Sequence, residues 1–371
     1  MDTAAVYAHF AGSQARNGGS PTYEDWALGV AGDPEVCALL DTLPEPKRQP
    51  NLLFAAARLV GAPTGGWAGV RSWLAAAWPD VEHEMRTRAT QTNEPRRCAT
   101  LVPTLAAIDG PVALVEVGAS AGLCLYPDRY SYLYTTPDGV RTRLDPADSP
   151  SEVLLPCDIE GPVPARLPGA VEGPVPDRLP APVEGPVPAR LPGAVAGPVP
   201  ARLPGAVAGP VPARLPDVVW RAGLDLNPLD VRDPDDLAWL EALVWPEHAD
   251  RVETLRAAAR VVAADPPRLV RGDLLTGVED LVAAAPAEAT VVVQSSAVLY
   301  YLTAAELAEF TGTMERLRRT RGVVWLSNEG WTVLPDVAAR LPAGADPQFI
   351  LARDGVPVAL TDPHGRSVRL L

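Results

Sequence analysis

The residues best placed to do chemistry are five in a row, Gly118-Ala119-Ser120-Ala121-Gly122, directly after the apolar run Val112-Ala113-Leu114-Val115-Glu116-Val117. Glycines on both sides of a serine allow the positive φ of a tight turn at the end of a strand. Such a turn serves two chemistries. It presents a serine hydroxyl as a nucleophile when a histidine and an acid assist it. It also lets backbone amides close on a nucleoside cofactor, with the acid that ends the strand, here Glu116, beside them. Both uses require a strand, a turn and a helix in succession, so other residues must separate them.

A nucleophilic Ser120 needs the order serine, acid, histidine that α/β-hydrolases use. Of His9, His83, His248 and His364, only the last two follow Ser120 in the chain. His364 is the better placed, near the C-terminus, although its setting Thr361-Asp362-Pro363-His364-Gly365 also reads as a β-turn between strands. No His-Gly-Gly-Gly stretch precedes Ser120 to supply an oxyanion hole. A serine esterase built on Ser120 and His364 is therefore the alternative reading.

The cofactor reading draws on more positions. Glu116, Gly118, Ser120 and Gly122 form the loop, and Glu116 can meet an amino group of the ligand. An acid ending the second strand would accept both ribose hydroxyls, because a carboxylate offers two adjacent acceptors. "RAGLDLNPLD" puts Asp225 there, and "LVRGDLL" offers Asp273, with Leu274 beside it, to an adenine amino group at the end of the third strand. Three acids closing three consecutive strands suit S-adenosylmethionine (SAM) as cofactor. The competing account makes Asp225 and Asp273 helix caps. The spacing departs from a compact unit, since roughly a hundred residues separate Glu116 from Asp225 where about twenty suffice.

The elements that must position these residues fall into two parts. Residues 1–108 read as a helical cap domain, because "NLLFAAARLVGA", "GVRSWLAAAW" and "RRCATLVPTLAAI" repeat apolar residues at three-and-four spacing. From 109 to 371 the period changes. Short apolar runs at 112–117, 218–226, 267–275, 290–302 and 322–330 alternate with helical stretches at 235–263 and 303–320. This alternation predicts an α/β fold with a Rossmann-like, methyltransferase-type parallel sheet. "YSYLYTTPDGVRTRL" predicts a hairpin after the loop, and Asp354-Gly355 and His364-Gly365 predict turns of an antiparallel hairpin or meander that closes the sheet.

The 42 prolines and 30 glycines concentrate in five copies of a twelve-residue unit of the type "EGPVPARLPGAV", of which 160–207 reads as an insertion. Proline removes amide donors and fixes φ, so neither helix nor ladder can run through it. The tract is either a duplication without chemistry or a ligand for a partner module.

A formal net charge of −14 repels phosphate backbones and anionic lipids, and no basic patch offsets it. Nucleic acid and membrane partners are therefore not expected, and a small-molecule acceptor is. Cys37, Cys98, Cys124 and Cys157 lack metal-ligand spacing, so no metal site is expected. The N-terminus lacks a signal-peptide pattern and no apolar run is long enough for a span, which suggests a cytoplasmic protein. The oligomeric state is open.

"RQPNLLFAA", "TQTNE", "LVEVGASAGLCLYPDRYSYLY", "GLDLNPLDV" and "WLEALVWPE" together resemble a bacterial, largely actinobacterial family, domain of unknown function 2332, over nearly the whole chain. Its likeness to SAM methyltransferases is one of fold. Within that resemblance, Gln49, Asn51, Thr92, Asn93 and Glu94 become candidate lid and substrate groups, with Glu94 the candidate base. Asn93 and Glu94 also fit a cap before Pro95. Arg129 and Tyr130 follow the loop as substrate candidates, with Arg129 suited to a carboxylate or to a salt bridge with its neighbours. Gln294, Ser295 and Ser296 end the fourth strand, where Gln294 is a catalytic and Ser296 a substrate candidate.

Overall fold

A computed structural model describes residues 2–91, 94–161, 214–342, 344–345 and 347–371. Repeat residues 162–213 lie outside them. The helices are α1 (Thr3–Phe10), α2 (Pro21–Ala31), α3 (Pro34–Asp41), α4 (Pro50–Val60), α5 (Trp67–Thr87), α6 (Arg97–Leu105), α7 (Pro234–Leu243), α8 (Ala249–Ala264), α9 (Leu274–Ala284), α10 (Ala304–Arg321) and α11 (Pro335–Ala338). The strands are β1 (Val112–Val117), β2 (Ser131–Thr135), β3 (Arg141–Leu144), β4 (Leu154–Ile159), β5 (Val218–Asp225), β6 (Arg268–Arg271), β7 (Thr290–Ser296), β8 (Val324–Gly330), β9 (Phe349–Arg353), β10 (Val356–Thr361) and β11 (Ser367–Leu370). No helix of the described residues is long and apolar enough to cross a membrane.

The chain divides into two compact units. One joins Met1–Thr92 to Leu229–Arg256, and the other joins Asn93–Pro228 to Ala257–Leu371. The first differs from a helical domain cut at 108: α6 goes with the sheet, and α7 with the N-terminal helices. Proline starts α2, α3, α4 and α7, where its missing N–H costs nothing. Ser20, Asp33 and Asp233 cap α2, α3 and α7 through their side chains. The core of this unit is aromatic, with Phe54 edge-on to Tyr7, Phe10 and Trp26. The helical stretch expected over 235–263 breaks around Trp245-Pro246, because the residue before proline is pushed out of helical conformation.

The second unit is mixed α/β around one large, mostly parallel sheet, ordered β3-β2-β4-β11-β10-β9-β8-β7-β1-β5-β6. The stretch β8-β7-β1-β5-β6 is parallel throughout. Starting from β1, the chain adds β5 and β6 on one side, then β7 and β8 on the other. A switch of direction therefore falls between β1 and β7. All six residues of β1 are buried, as a strand covered on both faces requires. Ala113, Val115, Val117, Leu224, Val291 and Val293 pack with Val278 and Leu281 of α9 and Phe310 and Met314 of α10.

Two details depart from the sequence expectations. After Gly122 comes a 3-10 turn, Leu123–Leu125, and no α-helix before β2. The expected hairpin forms as β2 and β3, but with β4 it extends the far end of the sheet. The C-terminal strands follow the expectation: the hairpin β9–β10 turns at Asp354-Gly355, both at positive φ, and β11 continues it into a meander.

Candidate functional site

The site residues of the sheet unit gather at the carboxyl ends of β1, β5, β7 and β8, the edge at which open α/β sheets bind ligands. Gly118, Ser120 and Gly122 stand at φ +72°, +50° and +75°. The amides of Gly118 and Ala119 donate to the Leu224 carbonyl at 2.8 and 3.2 Å. Ser120 N donates to Asp225 Oδ2 at 2.8 Å, and Asn227 N to Asp225 Oδ1 at 2.7 Å. Asp225 thus fastens the glycine loop to the end of β5. The glycines also answer to packing: a Cβ on Gly118 would stand 2.4 Å from Val298 Cγ2, and one on Gly122 3.0 Å from Pro267 Cγ.

Ser120 Oγ is buried and has no hydrogen-bond partner. It is not bonded to His364, whose turn joins β10 to β11 and whose amide donates to Asp362. A hydrolase elbow exposes its serine above a following helix. Neither condition holds here, so the Ser120–His364 pair is corrected to two separate structural positions.

Behind the loop lies a row of buried polar groups. Glu116 and Gln294 are register partners on β1 and β7. Burial drives the Glu116 carboxyl well above the usual carboxylate range, and Cys124 adds to this, while the Arg97 charge and the Gln294 amide draw it partly back. Gln294 Nε2 donates to the Cys124 carbonyl at 3.1 Å. Glu116 Oε2 and Gln294 Oε1 are buried without partners. Arg97, at the start of α6, donates from Nε to the Pro363 carbonyl (2.8 Å) and from one terminal nitrogen to the Ser296 carbonyl (3.2 Å). Ser295 Oγ accepts from Trp325 Nε1, and Ser296 Oγ from Asn328 Nδ2, each at 3.4 Å. Glu329, ending β8, accepts from the amides of Val298 (3.1 Å) and Leu299 (3.4 Å). Its burial pushes the carboxyl up to about 7 against those bonds.

The remaining candidates are held elsewhere. Asp273 caps α9 by accepting from Leu275 N at 2.8 Å, which is the cap role weighed against adenine binding, and Leu274 is the first residue of that helix. Glu94 is buried, and its Oε1 accepts from Arg96 N. Arg129 is half-exposed and reaches Asp128 at 3.3 Å, the surface pairing that the sequence left open. Tyr130 is a core residue whose hydroxyl donates to the Leu123 carbonyl. In the helical unit, Gln49 Oε1 accepts from Thr90 and Asn51 Oδ1 from Trp245 Nε1. Thr92 and Asn93 lie outside the described residues.

Two buried charged residues were missed. Glu329 was legible, since "SNEG" ends an apolar strand in an acid just as "VEVG" does. Arg97 was not: nothing in "EPRRCAT" separates a buried arginine from an exposed one.

A family model described as an uncharacterized protein conserved in bacteria (DUF2332) matches residues 4–180 and 187–369. No curated protein and no solved structure matches the chain.

Proposed function

The chain belongs to that bacterial family, and we propose that within it this protein is a methyltransferase that uses SAM and acts on a small-molecule acceptor. The observation that carries the reading is Asp225 fastened to Ser120 N across the end of β1, beside the point where the sheet switches direction. A carboxylate there presents two oxygens to vicinal ribose hydroxyls, and such switch points are where doubly wound sheets bind nucleosides.

The donor set fits this cofactor in two further respects. The unpartnered Glu116 Oε2 asks for a donor such as an ammonium group. The lack of an α-helix after Gly122 removes the dipole that phosphate cofactors exploit, and SAM carries no phosphate and a cationic sulfur. When bound, the cofactor supplies an electrophilic methyl group. The chain's part is to hold the acceptor in line and to keep water out, which the burial of β1 and β7 serves.

Titration calorimetry with SAM and S-adenosylhomocysteine tests the reading. Wild type should bind both, and Asp225→Ala should bind each at least about tenfold more weakly, a loss of about 1.4 kcal/mol. Far-UV circular dichroism checks that the variant folds. Absence of binding by wild type, or equal binding by the variant, removes the proposal.

A further inference from the structure

Among the described residues, the exposed aromatic side chains are Tyr300, Tyr301 and Trp331, at 51, 55 and 55 % exposure. A single exposed apolar side chain is ordinary, whereas several large rings exposed at one edge mark a surface that another molecule covers. These three follow neighbouring strands. β7 and β8 pair in parallel as far as Ser296 opposite Asn328, and the rings come within five residues of that pair, so both loops leave the carboxyl edge one strand spacing apart, about 4.8 Å.

The stretch Val298-Leu299-Tyr300-Tyr301-Leu302 carries a 3-10 turn over Leu299–Tyr301. Leu299 enters the core, Val298 and Leu302 pack against that core, and the two tyrosines are left outward with ring centroids 4.0 Å apart. The turn is fastened on the β8 side: Ala297 N donates to the Asn328 carbonyl at 3.1 Å, and Val298 N and Leu299 N donate to the buried Glu329 carboxyl. Ala297 stands at φ +52°, a strained conformation for a residue other than glycine, which persists only where such bonds over-determine it. The same turn abuts the glycine loop, because the Cβ that Gly118 lacks would lie 2.4 Å from Val298 Cγ2. The tyrosine rings are therefore held on a braced turn next to that loop.

We propose that Tyr300, Tyr301 and Trp331 form a shelf for an uncharged, planar aromatic ring, the body of the methyl acceptor. The charged groups that act on the Tyr300 hydroxyl, Arg97 and Glu329, are opposite in sign, so the shelf favours neither a cation nor an anion. Ring faces and edges reward a flat aromatic partner over a saturated one of the same size. The shelf rests on the cofactor reading only for the role of its ligand as acceptor.

Calorimetry tests the shelf with 2-naphthol as probe, decahydro-2-naphthol as its saturated counterpart and SAM as the second ligand. Wild type should bind 2-naphthol saturably and about threefold to tenfold more tightly than the saturated alcohol. Tyr301→Leu and Trp331→Leu keep apolar bulk and lose the ring, and each should weaken 2-naphthol binding by about twofold to tenfold. Both positions are exposed, and far-UV circular dichroism should match wild type. No saturable binding of 2-naphthol, equal affinity for the flat and the saturated alcohol, or unchanged affinity in both variants overturns the shelf. Variants that lose SAM and keep 2-naphthol would assign the rings to the cofactor's adenine and overturn it as well. Wild type that binds 2-naphthol and not SAM, with the probe weakened in both variants, upholds the shelf and removes the cofactor reading alone.

Discussion

Glu329 couples the site to pH. Its carboxyl is buried and pushed up to about 7 from an ordinary 4.5, because burial outweighs the two amide bonds it accepts. An acid raised in the folded state supports folding below its ordinary pKa, and that support is lost as pH climbs through about 7. A shift of this size corresponds to about 3 kcal/mol. Glu329→Gln keeps an acceptor for Val298 and Leu299 and removes the charge. Urea unfolding should find the variant and wild type equally stable near pH 4.5, with the variant ahead by up to about 3 kcal/mol above pH 8. A constant difference across that range would mean that Glu329 does not titrate there. Ser120 was legible as a residue of the loop. Its role was not, because whether Oγ faces solvent or core depends on what packs over the turn.

At the scale of elements, β1 and its loop show how far pattern carries. The apolar runs of β1 and β7 announce strands covered on both faces, and the glycines announce the turn. The helix expected after the loop is absent for a local reason: Pro127 lies five residues beyond Gly122, and the residue before proline is pushed away from helical φ and ψ. Tyr126 O–H is instead bonded to the Asp265 carbonyl, and Tyr132 O–H to Pro127 O at 2.7 Å. The two loop glycines should differ in what they tolerate. Gly118→Ala meets both the cost of positive φ and a 2.4 Å approach to Val298, and should lose about 2–4 kcal/mol. Gly122→Ala, with its nearest atom at 3.0 Å, should lose less, about 1–2 kcal/mol. Equal losses in denaturant unfolding would show that the contact with Val298 is not the constraint.

At the scale of the whole molecule, the helical unit is discontinuous in sequence. Leu229–Arg256 returns to it from between β5 and β6. Trp245 packs against Phe10 and Tyr23, Trp239 N–H bonds the Ala89 carbonyl, and Arg58 donates to the carbonyls of Ala242 and Val244. A fragment of residues 1–92 lacks all of these partners. It should show reduced helicity and bind a hydrophobic dye, whereas the same fragment joined by a Gly/Ser linker to residues 229–256 should melt cooperatively. A cooperative transition in 1–92 alone would refute this account of the core.

What the sequence by itself determined is local: that its strongly patterned segments are strands or helices, where the glycine loop turns, and that Glu116 and Asp225 lie at the ends of strands. Those follow from apolar period, from glycine's tolerance of positive φ and from proline's missing N–H, all properties of neighbours in the chain. The tertiary structure alone decided that α7 joins the N-terminal helices, that Asp225 grips Ser120, that Asp273 caps its helix, and that Arg97 is buried near two carboxylates without pairing with either. Those facts depend on which distant segments meet. Burial, which raises the Glu116 carboxyl and encloses Arg97, exists only once they have met.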